Sequence, residues 1–256
     1  GDNSPISEKL DTTKRFESTV YTKNSDEVQT YSSAIALNIS KYGFNLNLAP
    51  SANIEGDNAF AGDAKGDTVR SAFNGFNSNG VIAAVKYFPV LSDSSKTLDE
   101  LRASELPPFA ATIDSGADII MISSAKVPAI DADTPAFMSQ RIVTEVLIKE
   151  LKFDGVVITP DLSDSAIKDK YEANDIALNA LHAGADILLK PADIDSYFDA
   201  IKKAVDSGEI SQTQIDNSVK KILALKFKYG ILDASKFSTS QTGGADVATA
   251  TQVTVQ

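Results

Sequence analysis

The chain has 256 residues, 43% of them apolar, which is enough to bury one large core or two small ones. Its formal net charge of -11 and pI near 4.6 argue against nucleic acid as a partner, since phosphate neutralisation needs a basic face. It has no cysteine, which excludes disulfides, thiolate nucleophiles, zinc–thiolate sites and iron–sulfur clusters.

No apolar run approaches the ~20 residues needed to cross a bilayer, and no signal-like apolar segment is present. An initial glycine in place of methionine fits a processed or trimmed start, so a cytoplasmic protein and one whose targeting segment has been removed are both open readings. The densest basic stretch, Lys220, Lys221, Lys226 and Lys228, falls on an expected terminal helix and reads as a solvated face with favourable charge near a helix C-terminus.

In chain order, residues 1–24 form an N-terminal extension in which "STVY" is a candidate strand. Asn24 and Glu27 form a capping-box pattern opening a helix that carries Val28, Tyr31, Ile35 and Leu37 to about Ser40. Gly43 ends it, and "FNLNLAP" (44–50) alternates with the period of a strand. "VIAAVKYFP" (81–89) is a near-continuous apolar run, as expected where both faces of a parallel sheet are covered. Thr97 and Glu100 set a second capping box, with helix to about Asp114, and "ADIIMISS" (117–124) is a third strand. Ser139 caps the helix through "VTEVLIKEL". A fourth strand, "GVVIT" (155–159), a helix over 172–183 and a fifth strand, "ADILLK" (185–190), follow. Ser211 and Gln214 open the last long helix, whose Ile215, Val219, Ile222 and Leu223 mark an apolar face. Residues 233–256 are rich in Ser, Thr, Gly and Ala and read as a linker or tail.

Strand and helix alternating through short connections imply an α/β fold with parallel strands and right-handed crossovers. No glycine-rich phosphate fingerprint follows any strand, which favours a TIM (β/α)8-like barrel over a doubly wound nucleotide-binding sheet. Five strands are legible where a barrel has eight, so the barrel is expected to be either incomplete or completed by residues whose strands are not legible.

Six collinear segments, "NLNLAPSANI", "GDNAFAGD", "VIAAVKYFP", "LDELRASELPPFAATIDSGADIIMIS", "PAIDADTPAFMS" and "LKFDGVVITPDL", with "ALNALHAGADILL" and "DSGEISQTQIDNSVKKILALKFKYGIL" beyond them, resemble the N-terminal domain of glycoside hydrolase family 3. The β-N-acetylhexosaminidase branch is the closest, and the resemblance spans residues 25–232. It implies a TIM barrel acting on glycosidic bonds, with its site at the C-terminal ends of the strands.

At those ends the sequence departs from the family pattern. The Asp that usually follows the "AP" strand corresponds to Asn53. The stretch that normally supplies an arginine to the sugar reads Asp57-Asn58-Ala59-Phe60-Ala61. In the family's K-H-F-P-G-H-G strand end, Lys86 is kept, Tyr87 replaces the histidine, and Val90-Leu91 replaces Gly-His. The M-x-x-H strand end becomes Met121-Ile122-Ser123-Ser124. The loop that carries an Asp-His acid/base pair is missing, because "LSDSSKTLDE" runs almost directly into a helix. The nucleophile, the first Asp of T-D-D-L, falls on Pro160.

A retaining glycosidase needs two carboxyl groups about 5 Å apart, one attacking the anomeric carbon and one protonating the leaving oxygen. Proline has no group that can attack. Asp161, the one weak candidate for a replacement, lies one position along a strand and is expected to aim elsewhere. His182, the only histidine, is expected on a helix away from the strand ends. Asp93 and Asp99 are expected to cap or solvate the following helix.

The expected reading is therefore a family 3-like domain whose hydrolase chemistry is lost. It would serve as a carbohydrate or cell-wall binding module, or a structural one, in a bacterial surface or secreted protein. Lys86, Tyr87, Asn58, Asn53 and Ser124 would contact the ligand, with no metal and no cofactor. The alternative is an active β-N-acetylhexosaminidase or β-glucosidase rebuilt around Asp161 or Asp93. A third reading makes the chain part of a larger protein with a further domain. Carbohydrate or peptidoglycan fragments, and a second copy pairing through an open barrel edge, are the expected partners.

Overall fold

The structure is a computed structural model that describes residues 24–53, 63–233 and 235, together with the strand segments 237–239 and 253–255. "STVY" and Asn58 lie outside the described residues.

Helix α1 (Ser25–Ser40) opens on Asn24, whose side chain accepts the Glu27 N–H at 3.0 Å. Its buried face is Val28, Ser32, Ala36 and Ile39, while Leu37, expected inside, is exposed. The small residues on that face are explained by α2 (Asp63–Asn77), a helix the sequence reading did not assign. A Cβ added at Gly75 would stand 2.6 Å from the Gln29 carbonyl oxygen and 2.6 Å from Ser32 Cβ, so only glycine permits this approach of the two helices.

Four parallel strands lie side by side in chain order: β1 (Leu46–Asn47), β2 (Ile82–Phe88), β3 (Ile119–Ile122) and β4 (Val156–Ile158). The helical region after Thr97 is two helices, α3 (Leu98–Ser104) and α4 (Pro107–Asp114), parted before Pro107-Pro108. The Thr97 capping box is complete: its side chain takes the Glu100 N–H, and Glu100 takes the Thr97 N–H at 2.7 Å. After β3, the 3-10 turn Ala136–Met138 leads to α5 (Arg141–Glu150), with Ser139 accepting the Ile142 N–H. The helix is wound more widely than α, and the Leu151 N–H reaches back five residues to the Val146 carbonyl.

The expected fifth strand is less regular than its sequence suggests. Ile158 and Ile187 form a parallel bridge, and Thr159 N–H donates to the Ile187 carbonyl at 3.0 Å. Two neighbouring amides are bonded by side chains instead: Asp186 takes the Val157 N–H at 2.9 Å, and Thr159 Oγ1 takes the Leu189 N–H at 2.9 Å. The segment thus lies alongside β4 as a fifth strand position without a continuous ladder.

Short α6 (Ser165–Lys168), α7 (Ala173–Ala183), α8 (Ile194–Ser207) and α9 (Gln212–Lys228) follow; α8 also went unassigned from the sequence. In the segment expected to be a linker or tail, β5 (Phe237–Thr239) pairs antiparallel with β6 (Val253–Val255).

The strands have two apolar faces. Ala83, Val85, Phe88, Ile120, Ile122 and Val157 join the large core under the helices, while Ile82, Ala84, Ile119, Met121, Val156 and Ile158 form the opposite, interior face. Among the described residues the sheet does not close into a barrel.

Helix α9 packs on the interior face through Leu225, with Ile222 and Tyr229 beside it. The expected α9 face is corrected accordingly: Ile222 packs as expected, but Val219 and Leu223 are 46% and 39% exposed, and Ile215 packs against a separate cluster of Leu181, Ala204 and Ile210. The pairing surface is the inside of an open sheet, which no local periodicity reports.

Its basic residues are not only a solvated face. Lys221 meets Asp186 at 3.1 Å and Lys228 meets Asp118 at 2.7 Å, both acids standing at the N-terminal ends of their strands. The Tyr229 hydroxyl donates to Asp118 at 2.8 Å and also contacts Asn77. Helix α9 is thereby tied to the N-terminal ends of the strands, away from the C-terminal ends where the site residues lie.

Candidate functional site at the C-terminal strand ends

Backbone pairing carries β1 past its regular part, since Lys86 N–H donates to the Pro50 carbonyl and Ala52 N–H to the Lys86 carbonyl. This brings Asn53 beside Tyr87, whose N–H donates to Asn53 Oδ1 at 2.7 Å. Asn53 is 9% exposed, and its buried Nδ2 has no hydrogen-bond partner among the described residues. The Lys86–Tyr87, Ala49–Pro50 and Phe88–Pro89 peptides are cis.

Along β2 the pairing register shifts between Lys86 and Phe88. Tyr87 packs with the interior face, and Lys86 shares the alternation of Ile82 and Ala84. The Lys86 Nζ stands 5.1 Å from the Tyr87 ring centroid, within cation–π range. The structure thus brings Lys86, Tyr87 and Asn53 together.

At the end of β3, Ser123 is buried, and its N–H donates to the Phe88 carbonyl at 2.8 Å. Ser124 is exposed at the same end.

The end of β4 is occupied differently. Thr159 and Pro160 are buried, and Asp161 is half-buried. Asp161 Oδ1 accepts both the N–H and the hydroxyl of Ser163, at 3.0 and 2.6 Å, and Oδ2 pairs with the Lys190 ammonium. Burial pushes the Asp161 carboxyl up, but the Lys190 and Ser163 donors outweigh it and hold it below the usual carboxylate range. Such a group stays ionised at neutral pH and is a poor proton donor. Lys190 and Ser163 were not singled out from the sequence. A lysine ending the fifth strand segment, beside an acid ending the fourth, is the pattern that could have found them.

The remaining candidates serve structural ends. Asp93 Oδ1 accepts the Lys126 N–H at 2.7 Å, bridging two loops rather than capping the following helix. Asp99 lies in the first turn of α3 and pairs with Arg102 at 2.7 Å. His182 lies exposed on α7, 3.6 Å from Glu209. Among the described residues no three His, Asp or Glu side chains converge to hold a metal ion.

An open parallel α/β barrel with its polar groups at the C-terminal strand ends is the scaffold of a TIM-barrel-like protein. Within that class, residues 16–225 match the family model "Glycosyl hydrolase family 3 N terminal domain". The chain belongs to that family.

"Beta-hexosaminidase A" of Pseudoalteromonas piscicida is 27% identical over 267 residues, covering 88% of this chain and 45% of the relative. An "Uncharacterized secreted glycosyl hydrolase" of Arthroderma benhamiae is 31% identical over 165 residues, covering 58% of this chain and 47% of the relative. The solved family 3 β-N-acetylglucosaminidase from Paenibacillus sp. str. FPU-7 superposes with a TM-score of 0.76 at 28% identity, covering 91% of this chain and 48% of that one. The chain spans about half the length of the curated relatives it matches.

Proposed function

We propose that this family 3 domain binds carbohydrate through the Asn53–Lys86–Tyr87 cluster and does not hydrolyse it. The observation that carries the second half is Pro160. Matched against the family's Thr-Asp-Asp-Leu, the nucleophile falls on this buried residue, and a pyrrolidine ring has no atom that can attack an anomeric carbon. Asp161 is the adjacent carboxylate, and both its oxygens are taken up by Ser163 and Lys190. Those donors draw charge from the carboxylate and make it a weaker nucleophile.

Support for binding comes from the other side of the mouth. Lys86 is half-buried and stands in no ion pair among the described residues, and Tyr87 beside it is a half-buried aromatic ring of the kind that stacks on a sugar ring. A surface or secreted location is part of the proposal, prompted by the Arthroderma benhamiae relative whose name calls it secreted.

The test is turnover of nitrophenyl N-acetylglucosaminide and nitrophenyl glucoside, run beside calorimetric titration with the parent sugars. The proposal expects binding without turnover. Turnover that disappears in Asp161→Asn would establish the rebuilt-enzyme reading in its place.

A further inference from the structure

We propose that copies of this chain associate through helices α8 and α9, the exposed Ile194–Phe198 face of one copy docking on the Val219–Leu223 face of the next. Neither face includes a residue of the Asn53–Lys86–Tyr87 cluster, so the pairing stands or falls apart from carbohydrate binding.

Both faces follow from helical spacing, since residues four apart lie on one side of a helix. On α8, Ile194 and Phe198 are 70% and 64% exposed, the most exposed large apolar side chains among the described residues. Tyr197, Ala200 and Ala204 anchor the same helix in the core. On α9, Val219 and Leu223 are 46% and 39% exposed. Leu223 stands about 160° round the helix from Leu225, the residue that packs on the interior face of the sheet.

The charges beside the two faces are opposite. Asp195 and Asp199 each follow an apolar residue of the α8 face, and both are exposed. Neither forms a salt bridge among the described residues, and Lys202 pairs with Asp206 instead, at 2.6 Å. Like charges four residues apart on a helix repel, so this pair gains from any cation brought to it. On α9, Lys220 and Lys226 stand three residues before and three after Leu223, exposed and likewise without a salt bridge among the described residues. Lys221 and Lys228 turn the other way, to Asp186 and Asp118.

These charges select the occupant. Within one chain α8 and α9 meet elsewhere, through Ile201, Val205 and Ile215, which leaves both faces open. Two α8 faces brought together would set aspartates against aspartates, and two α9 faces would set lysines against lysines. The α8 face of one copy on the α9 face of another sets aspartates against lysines and covers apolar side chains from both. Each copy carries both halves of the match, so no second kind of chain is required.

The experiment is sedimentation-velocity centrifugation of the full chain from about 1 to about 200 µM, the range suited to a weak interface of this small size. The wild-type protein should self-associate as its concentration rises, and Phe198→Ser or Leu223→Ser should weaken the association at least tenfold. The decisive arm exchanges the charges. Asp195→Lys/Asp199→Lys gives a copy with two basic faces, and Lys220→Glu/Lys226→Glu gives one with two acidic faces. Each should be monomeric alone, and an equimolar mixture should associate. All the substituted side chains are exposed, and circular dichroism reports that each variant is folded. A wild-type protein that stays monomeric throughout would overturn the proposal. So would association that both charge variants retain, which would place the contact elsewhere, such as the open sheet edge, or a mixture that fails to associate.

Discussion

Asp186 ties β4 and helix α9 to the fifth strand segment, and Asp186→Ala tests how much the open sheet depends on it. Its side chain is 5% exposed and accepts three bonds: from Val157 N–H at 2.9 Å, Ser218 Oγ at 2.7 Å and Lys221 Nζ at 3.1 Å. The first replaces a ladder bond between β4 and the fifth strand segment, and the other two hold α9 beneath the sheet. Alanine leaves the Val157 amide buried without an acceptor, a cost of about 1–3 kcal/mol. Removing one partner of a buried ion pair costs roughly 3–5 kcal/mol, and Lys221, one-third exposed, can turn partly to water, so the combined loss should be about 3–4 kcal/mol.

Asp186→Asn keeps an acceptor for Val157 and gives up the charge, so it should cost about 1–2 kcal/mol. Urea unfolding followed by circular dichroism measures both as shifts in midpoint at unchanged slope. The reasoning is refuted if alanine costs no more than the ~0.5 kcal/mol typical of a surface substitution, or if asparagine costs as much as alanine.

Other substitutions probe the remaining contacts. Gly75→Ala should destabilise by about 1–3 kcal/mol, because its Cβ would stand 2.6 Å from backbone and side-chain atoms of α1; an unchanged melting temperature would contradict the contact. Leu225→Ala should cost about 2–5 kcal/mol if α9 seals the interior face, and much less if the helix is only loosely docked. The Asp161 carboxyl carbon, followed by NMR, should titrate below the ordinary value of 3.8 and move up in Lys190→Met. Because the folded pKa is lowered, this group adds stability above its unfolded value and loses it as pH falls through the folded one. With both partners well exposed, the contribution should stay below about 1 kcal/mol. A midpoint above 3.8 would undo the pairing with Lys190.

What the sequence disclosed and what it withheld divide along the range of the interactions. Asn24, Thr97, Ser139 and Ser211 cap their helices as expected, because a cap is made with an amide two or three residues away. The strands of the main sheet were legible, the first from its alternation and the others as apolar runs, and among the described residues the sheet stays open. Helix α2 was hidden by Gly66 and Gly75, which weaken helix propensity; Gly75 is required by close packing against α1, and Gly66 lies close to α4. Helix α9 offered an apolar stripe through Val219 and Leu223, and the fold instead buried Leu225, whose partner surface exists only once the sheet is formed.

The candidate site follows the same division. Asn53, Lys86 and Tyr87 were marked by their correspondence to family positions at strand ends, and the structure brings them together. The Lys190 pairing that restrains Asp161 joins residues far apart in sequence, across neighbouring strand positions. Which end of the Asn53 amide Tyr87 occupies is a matter of geometry alone.

The central claim, a family 3 fold without the family's covalent step, is tested most directly by intact-mass measurement after incubation with an activated fluoroglycoside. Such a reagent traps the glycosyl-enzyme intermediate of a retaining glycosidase on its nucleophile. The account predicts an unmodified mass for the wild-type protein. A stoichiometric glycosyl adduct, mapped by peptide sequencing to Asp161, would contradict it.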